Sequence, residues 1–145
     1  MVDLRFAPYA LTLLRVSMGV LFVAHALLKY TVFTMPGFAG FLGKIGLPAA
    51  LAWPIFLAEL IGGLMLILGI QARLVSAALL PILFGALWVH LPNGWLFSAP
   101  NGGWEFVAFW IVASIAHILA GDGALALRPS TLPVSGGASR LQAAE

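Results

Sequence analysis

Cysteine is absent from all 145 residues. Its absence excludes a structural disulfide, a thiolate metal site and any CxxC exchange chemistry. The last exclusion matters because some small membrane helical bundles pass disulfide electrons to quinones, and this chain cannot. Charge is nearly as scarce. Only 8% of residues are Asp, Glu, Lys or Arg, against about 25% in soluble domains. The seven basic residues are scattered and the formal net charge is +2, which excludes a basic surface for nucleic acid. A secretory leader is not apparent either. Asp3 and Arg5 precede the first apolar stretch, Arg15 interrupts it, and no small-x-small site follows before His25 and Lys29. That stretch is expected to be a retained helix.

What the chain has instead is apolar length. Apolar residues make up 62%, against roughly 45–50% in soluble domains. A soluble fold this small would lack the polar side chains to cover its outside, whereas a bilayer can solvate an apolar exterior. Four segments approach the roughly 20 residues that a bilayer core requires. They run over about 7–30, 50–70, 74–91 and 104–121, the last being short and able to continue through Gly121 toward Leu127. Backbone amides in hydrocarbon must be paired internally, and four segments are too few for a barrel, so they are predicted as helices. The fold class is therefore an all-α membrane protein, a four-transmembrane-helix bundle over residues 1–128. Residues 129–145, rich in Ser, Gly and Ala, are expected to form a disordered cytoplasmic tail. Pro81 should kink the third helix, and Gly62 and Gly63 should admit a close neighbour to the second.

Two longer connections separate these helices. In GFAGFLGKIGLP, Phe38, Phe41, Leu42 and Ile45 recur at helical spacing. This predicts a short amphipathic interfacial helix between the first two spans, ended by Gly46 and Pro48. HLPNGWLFSAPNGGWE is a Pro-, Asn- and Gly-rich run of turns. Four crossings put both termini on one side, together with Arg5, Arg73, Arg128 and Arg140, and with Arg15 nearer that side. Only Lys29 and Lys44 fall opposite. The positive-inside rule then makes the termini cytoplasmic, as in a bacterial inner-membrane protein. Trp53, Trp88, Trp95 and Trp104 become an aromatic belt at the outer interface.

Ionisable groups inside a span cost about 2.5–3.5 kcal/mol each, so each needs a partner or a purpose. Arg15, His25 and Lys29 share one stripe of the first helix, within about 80° of arc, with Met18 and Phe22 between them. The second helix offers a single carboxylate, Glu59. Counting from the outer end, His25 is about 7 Å deep, Glu59 roughly 13 Å and Arg15 about 22 Å. Glu59 is thus expected to pair with Arg15 or with His25. His90 and Asn93 at the end of the third helix, and Asn101 and Glu105 near the start of the fourth, extend this polar set toward the outer face. Each member has a structural reading as well: a register-setting pair, a snorkelling lysine, helix caps. Phe22 and Met18 read as packing, and His117, in the cytoplasmic half, as structural. A haem between His25 and His90 is a weaker reading, because there is no CxxCH and only three histidines occur. No flavin or haem motif is recognisable, and no metal site is expected.

The helix-1 pattern LLRVSMGVLFVAHALLKY, with Arg15, Gly19, Phe22, His25 and Lys29, resembles the opening motif of the DoxX family. GFAGFLGKIGLP, AELIGGLMLILGIQARL, VHLPNGW and NGGWEF follow in that family's order, so that the resemblance spans about residues 10–122. Two departures are Ala26, where glycine is common, and Gln71-Ala72-Arg73 in place of a Thr-Arg ending. The resemblance implies a four-helix membrane protein similar to the small membrane subunit of a thiosulfate:quinone oxidoreductase, or linked to membrane redox and oxidative-stress complexes.

The expectation from residues and resemblance together is a quinone-binding membrane subunit that receives electrons from an extracytoplasmic redox partner protein. Quinone reduction requires an apolar slot and proton donors at the two oxygens. His25 and Lys29 would supply the protons and Glu59 would tune or relay them. Arg15, Phe22, His90, Asn93 and Glu105 would line the cofactor site. The alternative is a non-catalytic membrane anchor or assembly adaptor. A carrier is a third reading, disfavoured because the polar set lies to one side.

Overall fold

The computed structural model describes residues 3–131, and the predicted tail lies largely outside the described residues, as does Arg140. Five α-helices follow in order: α1 (Ala7–Thr31), α2 (Met35–Lys44), α3 (Ala52–Leu68), α4 (Ala72–His90) and α5 (Glu105–Ala120). Short 3-10 turns precede α3 and follow α4. No strand occurs among the described residues. With their flanking turns, three helical stretches, Ala7–Thr31, Ala49–Leu68 and Ala72–Asn93, are long and apolar enough to cross a membrane. The fourth, Glu105–Ala120, is shorter. Its 16 residues rise about 24 Å, against the ~30 Å of a hydrocarbon core.

The long helices pack in a ring, α1 on α3, α3 on α4, α4 on α5 and α5 back on α1. The core is apolar, as in a soluble protein, but the exterior is apolar too and several polar side chains are buried. Leu13, Ile61, Phe84, Phe109 and Val112 are exposed, whereas Arg15, Glu59, Ser76, Ser114 and His117 are buried. Lipid can solvate the first group, and the ring must satisfy the second.

Two glycines set the spacing. A Cβ on Gly63 would fall 2.8 Å from the Gly19 carbonyl oxygen, and one on Gly19 2.7 Å from the Gly63 oxygen, so α1 and α3 touch backbone to backbone. Gly62 makes room for the Leu79 side chain of α4. α4 continues as helix through Pro81.

The predicted helix between the first two spans is present as α2. It is entered through Thr34, whose hydroxyl accepts from Gly37 N–H, and left through Gly46 at φ +81°. It buries Met35, Phe38 and Leu42 against Ala26, Ala52 and Phe56, while Phe41 is exposed. One expectation is corrected. α5 does not continue toward Leu127 but stops at Ala120, with Gly121 at φ +114°. The chain then returns across the end of the bundle. Leu127 and Arg128 N–H groups donate to Leu68 and Gly69 carbonyls, Arg128 O accepts from Gln71 N–H, and Ala124 N–H donates to Pro8 O. The Leu68 and Gly69 carbonyls would otherwise be orphans at the C-terminus of α3, and the returning segment satisfies them.

Candidate functional site

The Gly19–Gly63 contact fixes how α1 and α3 are rotated, and the polar side chains follow from it. Counting from that contact away from the chain termini, Glu59 lies about 6 Å along α3 and Lys29 about 15 Å along α1. The four-carbon stem of Lys29 reaches back over the difference. Its ammonium donates to both carboxylate oxygens, at 2.9 Å to Oε1 and 2.7 Å to Oε2. The Glu59 side chain is 6% exposed and that of Lys29 17%. Phe38 of α2 lies over the ammonium at 5.5 Å from the ring centroid, a cation–π contact.

This corrects the expected pairing of Glu59 with Arg15 or His25. His25 lies about 40° further round α1 from the Gly19 face than Lys29 does, so it turns toward α5. Its Nδ1 is 2.9 Å from the Leu21 carbonyl. A carbonyl only accepts, so Nδ1 carries the proton and Nε2 of the neutral ring is left as an acceptor. The ring forms one corner of a three-ring cluster, stacked on Phe106 at 6.2 Å and tilted against Trp110 at 5.0 Å, with those two rings 5.6 Å from each other. Arg15 lies about 21 Å from Lys29 along the helix, at the end holding the termini. Its guanidinium covers Gly69, and Nη2 is 3.5 Å from the Leu125 carbonyl. Depth counting failed here because pairing depends on azimuth as much as on depth.

The remaining expected site residues serve the 91–104 connection. His90 Nδ1 donates to Gly102 O at 2.9 Å, and Asn93 Nδ2 donates to Asn101 O and Gly102 O at 3.1 and 2.9 Å. Glu105 Oε1 accepts from Phe97 N–H at 2.9 Å. No hydrogen bond or ion pair joins this group to Lys29 and Glu59 among the described residues. Phe22 is fully buried and packs on Trp110 at 4.5 Å, a core position. Trp110, Phe106 and Phe38 complete the surroundings of His25 and Lys29. Their aromatic character was visible in the sequence, but nothing there indicated which way they face.

At the opposite end His117 is buried, and its Nδ1 lies 3.0 Å from Ser76 Oγ. Just past α5, Asp122 ties the returning segment down. Burial alone would raise its pKa, but the carboxylate accepts from Ser130 N–H at 2.7 Å, Ser130 Oγ at 2.8 Å and Arg73 N–H at 3.1 Å. These bonds prevail and hold it below the ordinary carboxylate value.

Chemically, the end away from the termini presents a shielded ammonium–carboxylate pair and, one turn along α1, an imidazole acceptor framed by aromatic rings. Among the described residues no group of three or more His, Asp or Glu is placed to hold a metal ion.

The profile of the DoxX family matches residues 10–91, from within α1 to the end of α4. The chain is 36% identical over 118 residues to "Putative oxidoreductase CatD" of Bacillus subtilis (strain 168), covering 81% of this chain and 83% of the relative. It is 27% identical over 126 residues to an "Uncharacterized protein" of Haemophilus influenzae, covering 85% and 91%. No solved structure matches the chain.

Proposed function

The chain belongs to the DoxX family, and from that premise we propose that this multi-pass membrane protein is the membrane subunit of a quinone-linked oxidoreductase complex. In this reading α1, α3, α4 and α5 cross the bacterial inner membrane with both termini cytoplasmic. α2 lies at the outer interface, and a partner protein outside the cytoplasm delivers electrons. The relative named as an oxidoreductase supports a redox setting. The observation that carries the site is His25. Its Nε2 is an acceptor in the neutral ring by virtue of the Leu21 bond, and the imidazole is packed beside the aromatic rings of Phe106 and Trp110. A quinone supplies two-electron acceptor chemistry when bound. The chain's part is to position the ring on Phe106 and Trp110 and to exchange a proton at His25 Nε2. The Lys29–Glu59 pair, one turn away on α1, would hold a second proton-exchanging position. Arg15, about 15 Å from His25 along the helix and about 21 Å from Lys29, lies outside this site.

A second reading, a non-catalytic adaptor, is favoured by one specific observation. Lys29 occupies both Glu59 oxygens, and His90, Asn93 and Glu105 are spent on the loop. The experiment is purification from native membranes in mild detergent, with mass spectrometry of partners and extracted lipids and an assay of substrate-driven quinone reduction. His25→Phe should insert and hold its partner yet lose quinone reduction. Full activity in that variant, or a partner without redox chemistry and no enriched quinone, would establish the adaptor reading instead.

A further inference from the structure

Two contacts between α1 and α5 fix how far each helix rises. Phe22 packs on Trp110 at 4.5 Å, and one turn toward the termini Ser114 Oγ lies 3.6 Å from Met18 Sδ. From the Phe22–Trp110 level α1 runs on to Thr31, about 14 Å, whereas α5 reaches Glu105 after only about 8 Å. The start of α5 thus lies about 6 Å nearer the middle of the bundle than the end of α1. On the other side, the Ser76–His117 bond sets α4 against α5. Counted from it, His90 is about 3 Å beyond Glu105, and the 3-10 turn carries Asn93 about 6 Å further. α5 is recessed between taller neighbours.

The 91–104 connection descends into that recess. Glu105 N–H donates to Trp95 O and Trp104 N–H to Gly94 O, each at 3.1 Å, and Glu105 Oε1 accepts from Phe97 N–H. Residues 94–97 are thereby tied to the first turn of α5, at its level. Trp95, Leu96 and Phe97 are nevertheless 55, 57 and 69% exposed, and no ionisable side chain occurs from Leu91 to Trp104. The backbone around them is bonded internally. Leu96 O accepts from Ala99 and Gly103 N–H, and Ala99 O from Gly102 N–H. Asn93 Nδ2 donates to Asn101 O and Gly102 O, and His90 Nδ1 also donates to Gly102 O. In water these carbonyls would need no side-chain donors. At hydrocarbon depth, non-helical backbone persists only where protein satisfies its polar groups.

We propose that Trp95, Leu96 and Phe97 insert among the lipid acyl chains of the leaflet away from the termini, so that the 91–104 loop completes the crossing begun by α5. The inference rests on the reading of α5 as a membrane span, and not on quinone binding. Depth favours lipid over a protein partner. A docking surface would project beyond the helix ends, whereas this tip is held about 6 Å inside the end of α1. The same figure is what α5 lacks, at about 24 Å against the ~30 Å of a hydrocarbon core. Three consecutive large apolar side chains fit acyl chains and would be a liability in water. Trp95 meets Trp104 edge to face at 4.5 Å, and tryptophan suits the boundary of the hydrocarbon. The Glu105 carboxylate sits at the positive end of the α5 dipole, where its charge is best tolerated.

The chain lacks cysteine, so Leu96→Cys, Phe97→Cys and Val112→Cys each accept a single nitroxide label. Val112 is exposed in the middle of α5 and reports on that span alone. All three are surface positions, and each full-length variant should keep the wild-type Tm within about 2 °C. In vesicles of phosphatidylethanolamine and phosphatidylglycerol, the labels are probed with oxygen, which concentrates in hydrocarbon, and with a water-soluble nickel chelate on both sides. Labels at 96 and 97 should respond several-fold more to oxygen than to nickel, at a depth between the headgroups and Val112. Labels that favour nickel at 96 and 97 while Val112 favours oxygen overturn the inserted loop and leave the α5 span standing. A Val112 label open to nickel removes the span itself, and the inference with it. Labels at 96 and 97 shielded from both reagents would mean that protein covers the tip, which overturns the inference equally.

Discussion

Lys29 of α1 grips Glu59 of α3 through both carboxylate oxygens, at 2.9 and 2.7 Å, with the ring of Phe38 laid over the ammonium. The pair joins the two most extensively packed helices near the point where α2 covers them. Taking two charges into such a place gains little stability over apolar residues of similar size, but removing one partner strands the other. The pair therefore acts as a register device whatever chemistry it also serves.

Glu59→Gln or Lys29→Met alone should destabilise the protein by about 3–5 kcal/mol, because each leaves a buried charge or polar group unmatched. The double variant Lys29→Met/Glu59→Leu should lose far less than the sum. Unfolding in detergent by denaturant, run as a double-mutant cycle, measures the difference. Additive losses would mean that the two groups do not interact.

Gly63→Ala should cost about 1–3 kcal/mol, because its Cβ would meet the Gly19 carbonyl oxygen at 2.8 Å and Val23 Cγ2 at 2.9 Å. Neither the backbone nor a β-branched neighbour yields easily. Gly85→Ala in α4, with open space at its Cβ, should be neutral or stabilising by about 0.5–1 kcal/mol. Paired melting curves test both, and equal effects would refute the helix-contact argument.

Asp122 makes attachment of the returning segment dependent on pH. Its folded pKa is depressed, so its contribution is complete above the unfolded value of about 3.9 and is lost as pH falls through the lower folded value. Protection factors at the Ala124, Leu127 and Arg128 amides, taken relative to the intrinsic exchange rate at each pH, should be high at pH 6 and fall below about pH 4. Asp122→Asn should exchange faster at pH 6 and lose most of that dependence.

His90→Ala should loosen the 91–104 connection without unfolding the bundle, at a cost of about 1 kcal/mol for the lost Gly102 bond. Trp95 and Trp104 pack edge to face at 4.5 Å within that connection. Altered tryptophan emission and faster proteolysis between 94 and 103, with little change in Tm, are the expected readouts. A large loss of Tm would mean that His90 supports the helices themselves.

The sequence alone determined the helices, because long apolar runs with no polar alternative leave the backbone one way to pair its own amides. The predicted spans fall within a few residues of α1, α3, α4 and α5, and Gly62 and Gly63 were legible as a contact surface because nothing else in α3 is so small. The sequence also marked Arg15, His25, Lys29 and Glu59 as costly and therefore purposeful. Only the tertiary structure decided who meets whom. Depth along a helix can be counted, but azimuth is set by the Gly19–Gly63 contact, and about 40° of rotation separates a lysine that reaches Glu59 from a histidine that turns to Trp110. The returning 121–128 segment was invisible for a related reason. Its bonds run to carbonyls at the end of α3 and to Pro8, and backbone groups carry no sequence signature until packing leaves them unpaired.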